Sequence, residues 1–277
     1  MLEPRFSESD VSAALGGQVN LLGVGATADT WKFNDSAVKI ICDASYPAER
    51  LEREVTGLGR AKSSHVVQLL EVGQLALNGE THAYLRCEYI EGGDVLGRFD
   101  SGQWPSEEEG IVFLRGLLIG AAALHDAKVL HRDIKPGNIA LRNGVWSEPV
   151  LLDLGLARVL DQESITYYPR QMGTHLYMSP EQLLGQRAVK ASDLFAIGVT
   201  VRQGIGRAHP FYDDGVRYSY DEAVKRIEAG PKSLPGTLPP GIISLLDRLV
   251  SPVQNERGST GSSLRRLVLA DDGGSDR

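Results

Sequence analysis

The residues best suited to chemistry stand together in one stretch of the sequence, His131-Arg132-Asp133-Ile134-Lys135-Pro136-Gly137-Asn138. This stretch places a carboxylic acid, a cation and an amide within six residues, on a loop between a predicted long helix and a predicted short strand. Five fixed positions at about 5% background each would recur by chance in such a chain about once in ten thousand times. A solvated polar loop is therefore a poor explanation of this pattern.

The stretch resembles the catalytic loop of protein kinases, whose pattern is H-R-D with an Asn five residues after the Asp. The reaction of that family needs an in-line nucleophile and a neutralised triphosphate, and little else from the protein. The resemblance implies that Asp133 accepts the proton of an incoming hydroxyl, that Lys135 reaches the transferring phosphate and that Asn138 is an oxygen ligand for Mg²⁺. A lysine at position 135 is typical of the Ser/Thr-specific kinases.

A second carboxylate motif, Asp153-Leu154-Gly155, begins 15 residues after Asn138 and directly follows an apolar strand. It resembles the D-F-G motif, with Leu154 where Phe is usual. An Asp after a strand is, by itself, more often a turn former. Its distance from Asn138 favours the other interpretation, in which Asp153 is a hard-oxygen ligand for Mg²⁺.

A glycine-rich segment lies upstream, from Leu22 to Thr30. It resembles the loop with which kinases cover the phosphates of ATP, and Gly23 and Gly25 would allow the backbone to approach them closely. Ala28 stands in place of the third glycine, and Thr30 stands where Val is common. A pair of glycines alone is equally consistent with a plain hairpin turn.

Lys39 follows Ala37-Val38 in a segment that resembles V-A-I-K on the third strand. A lysine inside an apolar strand is costly unless it has a partner. On the following helix Glu54 lies about 60° from the centre of the apolar stripe, and Glu52 lies about 90° away on the other flank. Glu54 is therefore the preferred partner, although a solvated helix charge is the alternative. In the family this Lys–Glu pair holds the α- and β-phosphates.

The segment from Tyr84 to Asp94 resembles the kinase hinge. By that resemblance the C=O of Glu88 and the N–H of Ile90 would bind adenine, and Asp94 would meet the ribose. Cys87 would stand at the back of the adenine pocket, where a small buried hydrophobe suffices to explain it.

The elements that must position these residues divide into two parts. The first third predicts a small sheet with one helix, because Asn34-Asp35 and Asn78-Gly79 are turn signals between strand-like runs. The expected strands are 30–33, 36–41, 66–77 and 81–90, and the helix follows Pro47. The helix has its apolar residues at Leu51, Val55 and Leu58.

The remainder predicts mostly helices. Ser106 and Glu109 form a capping-box pattern before an apolar helix that runs to about Asp126. Short strands are expected at 139–141 and 150–152. Further helices are expected around 192–202, 220–229 and 242–249, with a last one from Ser262. We expect the hinge between the two parts near Gly92-Gly93.

The segment Gly173–Glu181 resembles the end of a kinase activation segment, with Ser179 in place of the usual Ala of A-P-E. By the same resemblance Asp193 is the Asp of the core helix, and Arg257 pairs with Glu181. All three residues are structural in the family.

Arg132 suggests control by phosphorylation, because an Arg at this position in the family often receives a phosphate from the activation segment. Candidate acceptors are Ser164, Thr166, Tyr167 and Tyr168, of which Thr166 is preferred for its distance from Gly173-Thr174. Autophosphorylation of this segment is expected. The alternative is that Asp161 or Glu163 already supplies the anion.

Composition excludes several other classes of protein. The 277 residues contain 29 Lys and Arg against 36 Asp and Glu, a formal charge of −7, which argues against a nucleic-acid or anionic-membrane binder. The longest apolar run, 111–124, is too short to span a bilayer. Residues 1–4 lack the pattern of a signal peptide. Two cysteines, Cys42 and Cys87, allow at most one disulfide. A reducing cytoplasm is the expected location.

The resemblance covers about Asn20 to Leu269 and identifies the chain as similar to eukaryotic-type Ser/Thr protein kinases in a compact, bacterial-like form. It implies a two-lobed α+β fold in a single domain, with an N-lobe at about 1–91, a C-lobe at about 92–270 and a disordered tail at 271–277. ATP and Mg²⁺ are the implied cofactors, and proteins are the implied substrates.

Two other functions stay open. One is a pseudokinase scaffold, which the intact Lys39, Asp133, Asn138 and Asp153 argue against. The other is a small-molecule phosphotransferase of the same fold, which usually lacks the segment from Thr174 to Glu181. Transfer of label from ATP to a protein, to a metabolite or to nothing would distinguish the three.

Overall fold

In the computed structural model, which describes residues 3–43, 46–154, 158–159 and 174–271, the N-terminal part forms one five-stranded sheet. The strands are β1 (Val19–Val24), β2 (Ala28–Phe33), β3 (Ser36–Ile41), β4 (Leu69–Leu77) and β5 (Glu80–Glu88). They pair in the order β1-β2-β3-β5-β4, and every pairing is antiparallel. The turn between β4 and β5 has φ of 52° at Asn78 and 82° at Gly79, as a two-residue type I′ hairpin requires.

Helices cover both faces of this sheet. Helix α2 (Ala48–Arg60) follows Pro47, as expected, and contributes Leu58 to the core next to the cleft. Helix α1 (Glu8–Leu15) was not predicted, although Ser7 caps its first turn and Gly16 ends it at φ 74°. It packs on the other face, where Val11 is fully buried beside Trp31.

The C-terminal part is mainly helical. The helices are α3 (Val95–Asp100), α4 (Glu107–Asp126), α5 (Pro180–Leu183), α6 (Lys190–Gly206), α7 (Tyr220–Glu228), α8 (Pro240–Leu249) and α9 (Thr260–Asp271). The short strands are β6 (Val129–Leu130), β7 (Ile139–Leu141), β8 (Pro149–Leu151) and β9 (Arg158–Val159). The predicted capping box at Ser106 and Glu109 begins α4. A sheet-rich lobe and a helical lobe confirm the expected α+β, two-lobed fold.

The connection between the lobes requires its two glycines for different reasons. A Cβ on Gly92 would lie 1.7 Å from the backbone O of Leu141, so no larger residue fits there. Gly93 has φ of 73°, which favours glycine. Gly93 O also accepts the N–H of Leu141 at 3.0 Å. The hinge is thereby fastened to β7, which follows the loop at 131–138.

Several boundaries differ from the expectation. The strand expected at 66–77 begins at Leu69, because Val67 N–H donates instead to the backbone O of Leu151 in the other lobe, at 3.0 Å. Strand β5 ends at Glu88 rather than at residue 90. Residue 271, the first of the expected tail, is the last residue of α9, and 272–277 lie outside the described residues.

Within the described ranges, no helix has the length and apolarity needed to cross a membrane.

Candidate active site

The stretch 131–138 connects β6 to β7 and brings three predicted site residues into one cluster. Lys135 Nζ donates to Asp133 Oδ2 at 2.8 Å, and Asn138 Nδ2 donates to the same oxygen at 2.9 Å. Asn138 Nδ2 also donates to the backbone O of Asp133 at 2.8 Å. A 3₁₀ turn at Pro136–Asn138 brings Asn138 back to this position. The carboxylate of Asp133 is therefore fixed from two sides.

A buried carboxylate of α6 holds the backbone of this loop. Asp193 accepts the backbone N–H groups of His131 at 3.0 Å and Arg132 at 2.8 Å, and His125 Nε2 lies 2.8 Å from it. Burial would raise the pKa of Asp193, but the hydrogen bond and charge of His125 lower it. These contacts stabilise a left-handed Arg132, with φ of 72°, which is unusual for a residue other than glycine.

Lys39 lies between two carboxylates. Its Nζ is 2.7 Å from Glu54 Oε1 and 2.6 Å from Asp153 Oδ1. Burial would lower the pKa of Lys39, but the charges of Asp153 and Glu54 outweigh burial and raise it. The pKa of Glu54 is raised by burial, because Lys39 only partly offsets the desolvation of the carboxylate. Among the two glutamates considered from the sequence, Glu54 is buried and Glu52 is exposed.

Tyr46 was missed by sequence reasoning. Its hydroxyl donates to Glu54 Oε2 at 3.3 Å. Tyr46 belongs to no motif, and the one signal that could have found it is its position just before Pro47, the residue at the start of α2.

The motif that begins at Asp153 combines an exposed carboxylate with a buried apolar residue. Asp153 has φ of 48°, and 46% of its side chain is exposed. Leu154 is 1% exposed and packs against α2, where a Cβ on Gly57 would lie 3.2 Å from Leu154 Cδ1. Leu in place of the usual Phe therefore still anchors the motif beneath α2. Gly155 lies outside the described residues.

A cavity of about 410 Å³ lies between the lobes. Nine of the predicted residues line it: Gly23, Gly25, Lys39, Glu54, Glu88, Ile90, Asp94, Asn138 and Asp153. Asp133 and Lys135 do not line it: Asp133 is linked to it by the hydrogen bond from Asn138, and Lys135 by its own bond to Asp133. A Cβ on Gly23 would meet nothing within 4 Å, so the protein itself does not require glycine there. Space beside Gly23 is what close approach of a ligand to the backbone would need.

At the hinge, the side chains of Glu88 and Asp94 make structural contacts that were not expected from the sequence. The Glu88 carboxylate pairs with Arg142 at 2.9 Å. Asp94 Oδ1 accepts the backbone N–H of Gly97 at 2.8 Å and thereby caps α3. Cys87 lines the cavity, and burial raises the pKa of its thiol to about 12, so it is a neutral thiol there.

The expected pair of Glu181 with Arg257 is confirmed. The two arginine nitrogens lie 2.7 and 3.0 Å from the two carboxylate oxygens. A neighbouring contact was not expected from the sequence, since Gln182 Nε2 donates to the backbone O of Arg132 at 3.1 Å. Helix α5 therefore also supports the loop that carries Asp133. The expected phosphorylation sites Ser164, Thr166, Tyr167 and Tyr168 lie outside the described residues.

Comparison with known proteins finds a family that matches most of this sequence. The family described as "Protein kinase domain" matches residues 20–267. The chain is 28% identical over 238 residues to serine/threonine-protein kinase PknA of Mycobacterium tuberculosis, which covers 82% of this chain and 54% of PknA.

Two further relatives have similar identities. Serine/threonine-protein kinase pkn2 of Myxococcus xanthus is 29% identical over 80% of this chain and 27% of pkn2. Serine/threonine-protein kinases drp72 of Corynebacterium efficiens is 26% identical over 90% of this chain and 49% of that relative. The chain thus spans about half the length of PknA and drp72 and a smaller part of pkn2.

Proposed function

The chain belongs to the protein kinase family, and from this premise we propose that it transfers the γ-phosphoryl group of ATP to Ser or Thr hydroxyls of proteins. The observation that carries the proposal is the convergence of two clusters on one cavity. One is Lys39 with Glu54 and Asp153, and the other is Asp133 with Lys135 and Asn138. Positioning and charge are what phosphoryl transfer requires of a protein.

ATP would bind with its base at the hinge and its phosphates towards Lys39. The backbone of Glu88 and Ile90 would bind adenine, and Asp94 would meet the ribose with the carboxylate oxygen that does not cap α3. Gly23 and Gly25 line the same cavity nearer the phosphates. The ammonium of Lys39, held charged by its two carboxylates, would bind the α- and β-phosphates.

The residues present fit a magnesium ion. Asp153 offers a carboxylate that is 46% exposed. Asn138 uses its amide nitrogen on Asp133, which leaves the amide oxygen as a ligand. Hard oxygen donors of this kind suit Mg²⁺. When bound, the ion would neutralise charge on the phosphates.

Asp133 would orient the substrate hydroxyl and accept its proton. Within the described part of the chain, its side-chain hydrogen bonds with Lys135 and Asn138 both go to Oδ2. Oδ1 is then the oxygen for the hydroxyl. As the hydroxyl oxygen bonds to the γ-phosphorus, the bond from that phosphorus to the β–γ bridging oxygen breaks. Lys135, whose Nζ lies 2.8 Å from Asp133 Oδ2, would stabilise the charge of the transferring group.

Incubation with γ-labelled ATP, Mg²⁺ and casein tests this function. We expect label on Ser and Thr of the protein. Label found only on a metabolite would favour a small-molecule phosphotransferase, and ATP binding without transfer would favour a scaffold. Either result would contradict the proposal.

We further propose that the enzyme phosphorylates its own activation segment, with Thr166 as the first acceptor. The support is the position of Arg132 beside Asp133, since a phosphate brings about −1.5 to −2 charge and can order a loop through arginine. Mass spectrometry of wild-type protein and of Asp133→Asn tests this. An unmodified segment in a fully active enzyme would contradict it. The cytoplasmic location stays a prediction.

A further inference from the structure

Arg5 contacts the glycine-rich loop, although it precedes the residues 20–267 that match the family. Its backbone N–H donates to Asp29 Oδ2 at 2.6 Å, and its Nη1 donates to Asp29 Oδ1 at 2.7 Å. Its Nη2 donates to the backbone O of Ala26, at the loop's tip, at 2.6 Å. One arginine therefore joins the tip of the loop to the strand that follows it.

The contact is made on the side of the sheet that faces away from the nucleotide cavity. Successive residues of β2 point to opposite faces, and Thr30 lines the cavity, whereas its neighbour Asp29 is fully buried under Arg5. The segment that carries Arg5 is itself well anchored. Phe6 is 6% exposed and its ring lies 4.9 Å from that of His82.

The two carbonyls at the tip of the loop both have protein partners. Ala26 O accepts from Arg5, and Thr27 O accepts the N–H of Cys42 at 2.9 Å. In a planar trans peptide the C=O of one residue and the N–H of the next point in opposite directions. Because Arg5 holds the C=O of Ala26 on the outer side, the N–H of Thr27 is directed away from Arg5.

We propose that Arg5 is a positioning residue for phosphate recognition, which fixes the Ala26–Thr27 peptide so that the N–H of Thr27 faces the terminal phosphate of ATP. The inference rests on the proposed function and deepens it. A loop whose tip is held in advance loses less conformational freedom when it binds. The benefit should be confined to ligands that carry phosphates.

The test is the affinity for ATP with Mg²⁺ and for adenosine, measured by calorimetry together with the melting temperature. We expect Arg5→Ala to weaken ATP binding by about 3- to 10-fold, as for loss of one pre-ordered loop contact, and to leave adenosine affinity unchanged. Arg226→Ala is the control, because Arg226 is likewise an arginine paired with an aspartate, Asp213 at 3.4 Å, but it lies on α7 in the C-terminal lobe. It should leave both affinities unchanged.

Arg5→Lys separates stability from positioning. It keeps a cation for Asp29, but one ammonium replaces the two nitrogens that reach Asp29 and Ala26. We expect a melting temperature near that of wild type with ATP affinity reduced as in Arg5→Ala, so this variant tests the inference even if the alanine variant does not fold.

Equal ATP affinity in wild type and Arg5→Lys, or equal losses for ATP and adenosine in Arg5→Ala, would overturn the inference and leave the proposed function standing. Wild-type protein that bound neither ligand would contradict the proposed function and, with it, the inference.

Discussion

Two ionic clusters in this molecule use the same kinds of residue in different surroundings. In the cleft, Lys39 Nζ serves both Glu54 and Asp153, and the side chain of Asp153 is 46% exposed. In the C-terminal lobe, Arg257 and Glu181 meet through two hydrogen bonds, and their side chains are 0% and 6% exposed. Both clusters join segments that are distant in the sequence.

The difference shows what each cluster is suited to do. Arg257 also donates to the backbone O of Ser251, Ala191 and Pro252, and Ser192 donates to Glu181 at 2.6 Å. Such a pair is satisfied entirely within the protein and fastens α5 to the segment before α9. The cleft cluster divides one ammonium between two carboxylates beside a cavity, which is the arrangement that a charged ligand can complete.

The largest expected effect comes from breaking the buried pair. Arg257→Met should lower the free energy of unfolding by about 3–5 kcal/mol, because it leaves the Glu181 carboxylate buried without its cation. Urea denaturation measures this. Arg226→Met is the control, since Arg226 lies 3.4 Å from Asp213 with about half of each side chain exposed, and its loss should cost at most about 1 kcal/mol. Equal costs would contradict the distinction between the two settings.

Breaking the pair of Lys39 and Glu54 in the cleft should lower the rate of catalysis more than it lowers stability. Lys39→Met and Glu54→Gln should each lower kcat by about 10²-fold, the typical loss when one preorganised electrostatic contact is removed. Steady-state kinetics at saturating ATP, with melting temperatures alongside, measure both quantities. Glu52→Gln is the matched control on the exposed side of α2 and should stay within about 2-fold of wild type. Equal losses at both glutamates would mean that the pair has no special role.

A smaller effect is the pH dependence of stability that the buried His209 gives to the C-terminal lobe. Burial lowers the pKa of His209 to about 4, even though its Nε2 contact with Leu176 O opposes the shift. A depressed pKa contributes stability above the unfolded value of about 6.5, which is lost as pH falls towards 4. Wild type should therefore lose about 1.4 kcal/mol per pH unit across this window relative to His209→Gln. Parallel pH profiles in urea denaturation would contradict this.

Local signals in the sequence predicted most elements of the fold. The capping box at Ser106 and Glu109 begins α4, and the turn at Asn78-Gly79 joins β4 to β5. Both features depend only on residues that are neighbours in the sequence, so they can be predicted without knowing the rest of the fold. Helix α1 had similar local signals in Ser7 and Gly16, and its eight residues were missed because its apolar pattern is weak.

The site was predictable where helix geometry or a family motif applied. The angular position of Glu54 on α2 selected it over Glu52, and the structure brings Glu54 to Lys39. Contacts that join distant segments without a motif were not predictable. Arg5 with Asp29 and Gln182 with the backbone of Arg132 are of this kind, because chain folding alone brings them together.

The role of Asp133 in the chemical step is tested most directly by measuring binding and chemistry separately in Asp133→Asn. The same preparation is assayed for ATP affinity by calorimetry and for transfer of label to casein, beside the exposed control Asp126→Asn. We predict ATP affinity within about 2-fold of wild type and transfer reduced by about 10²-fold or more, as expected for loss of a general base. Near-normal transfer in Asp133→Asn, or a loss of ATP affinity as large as the loss of transfer, would contradict the assignment of the chemical step to this loop.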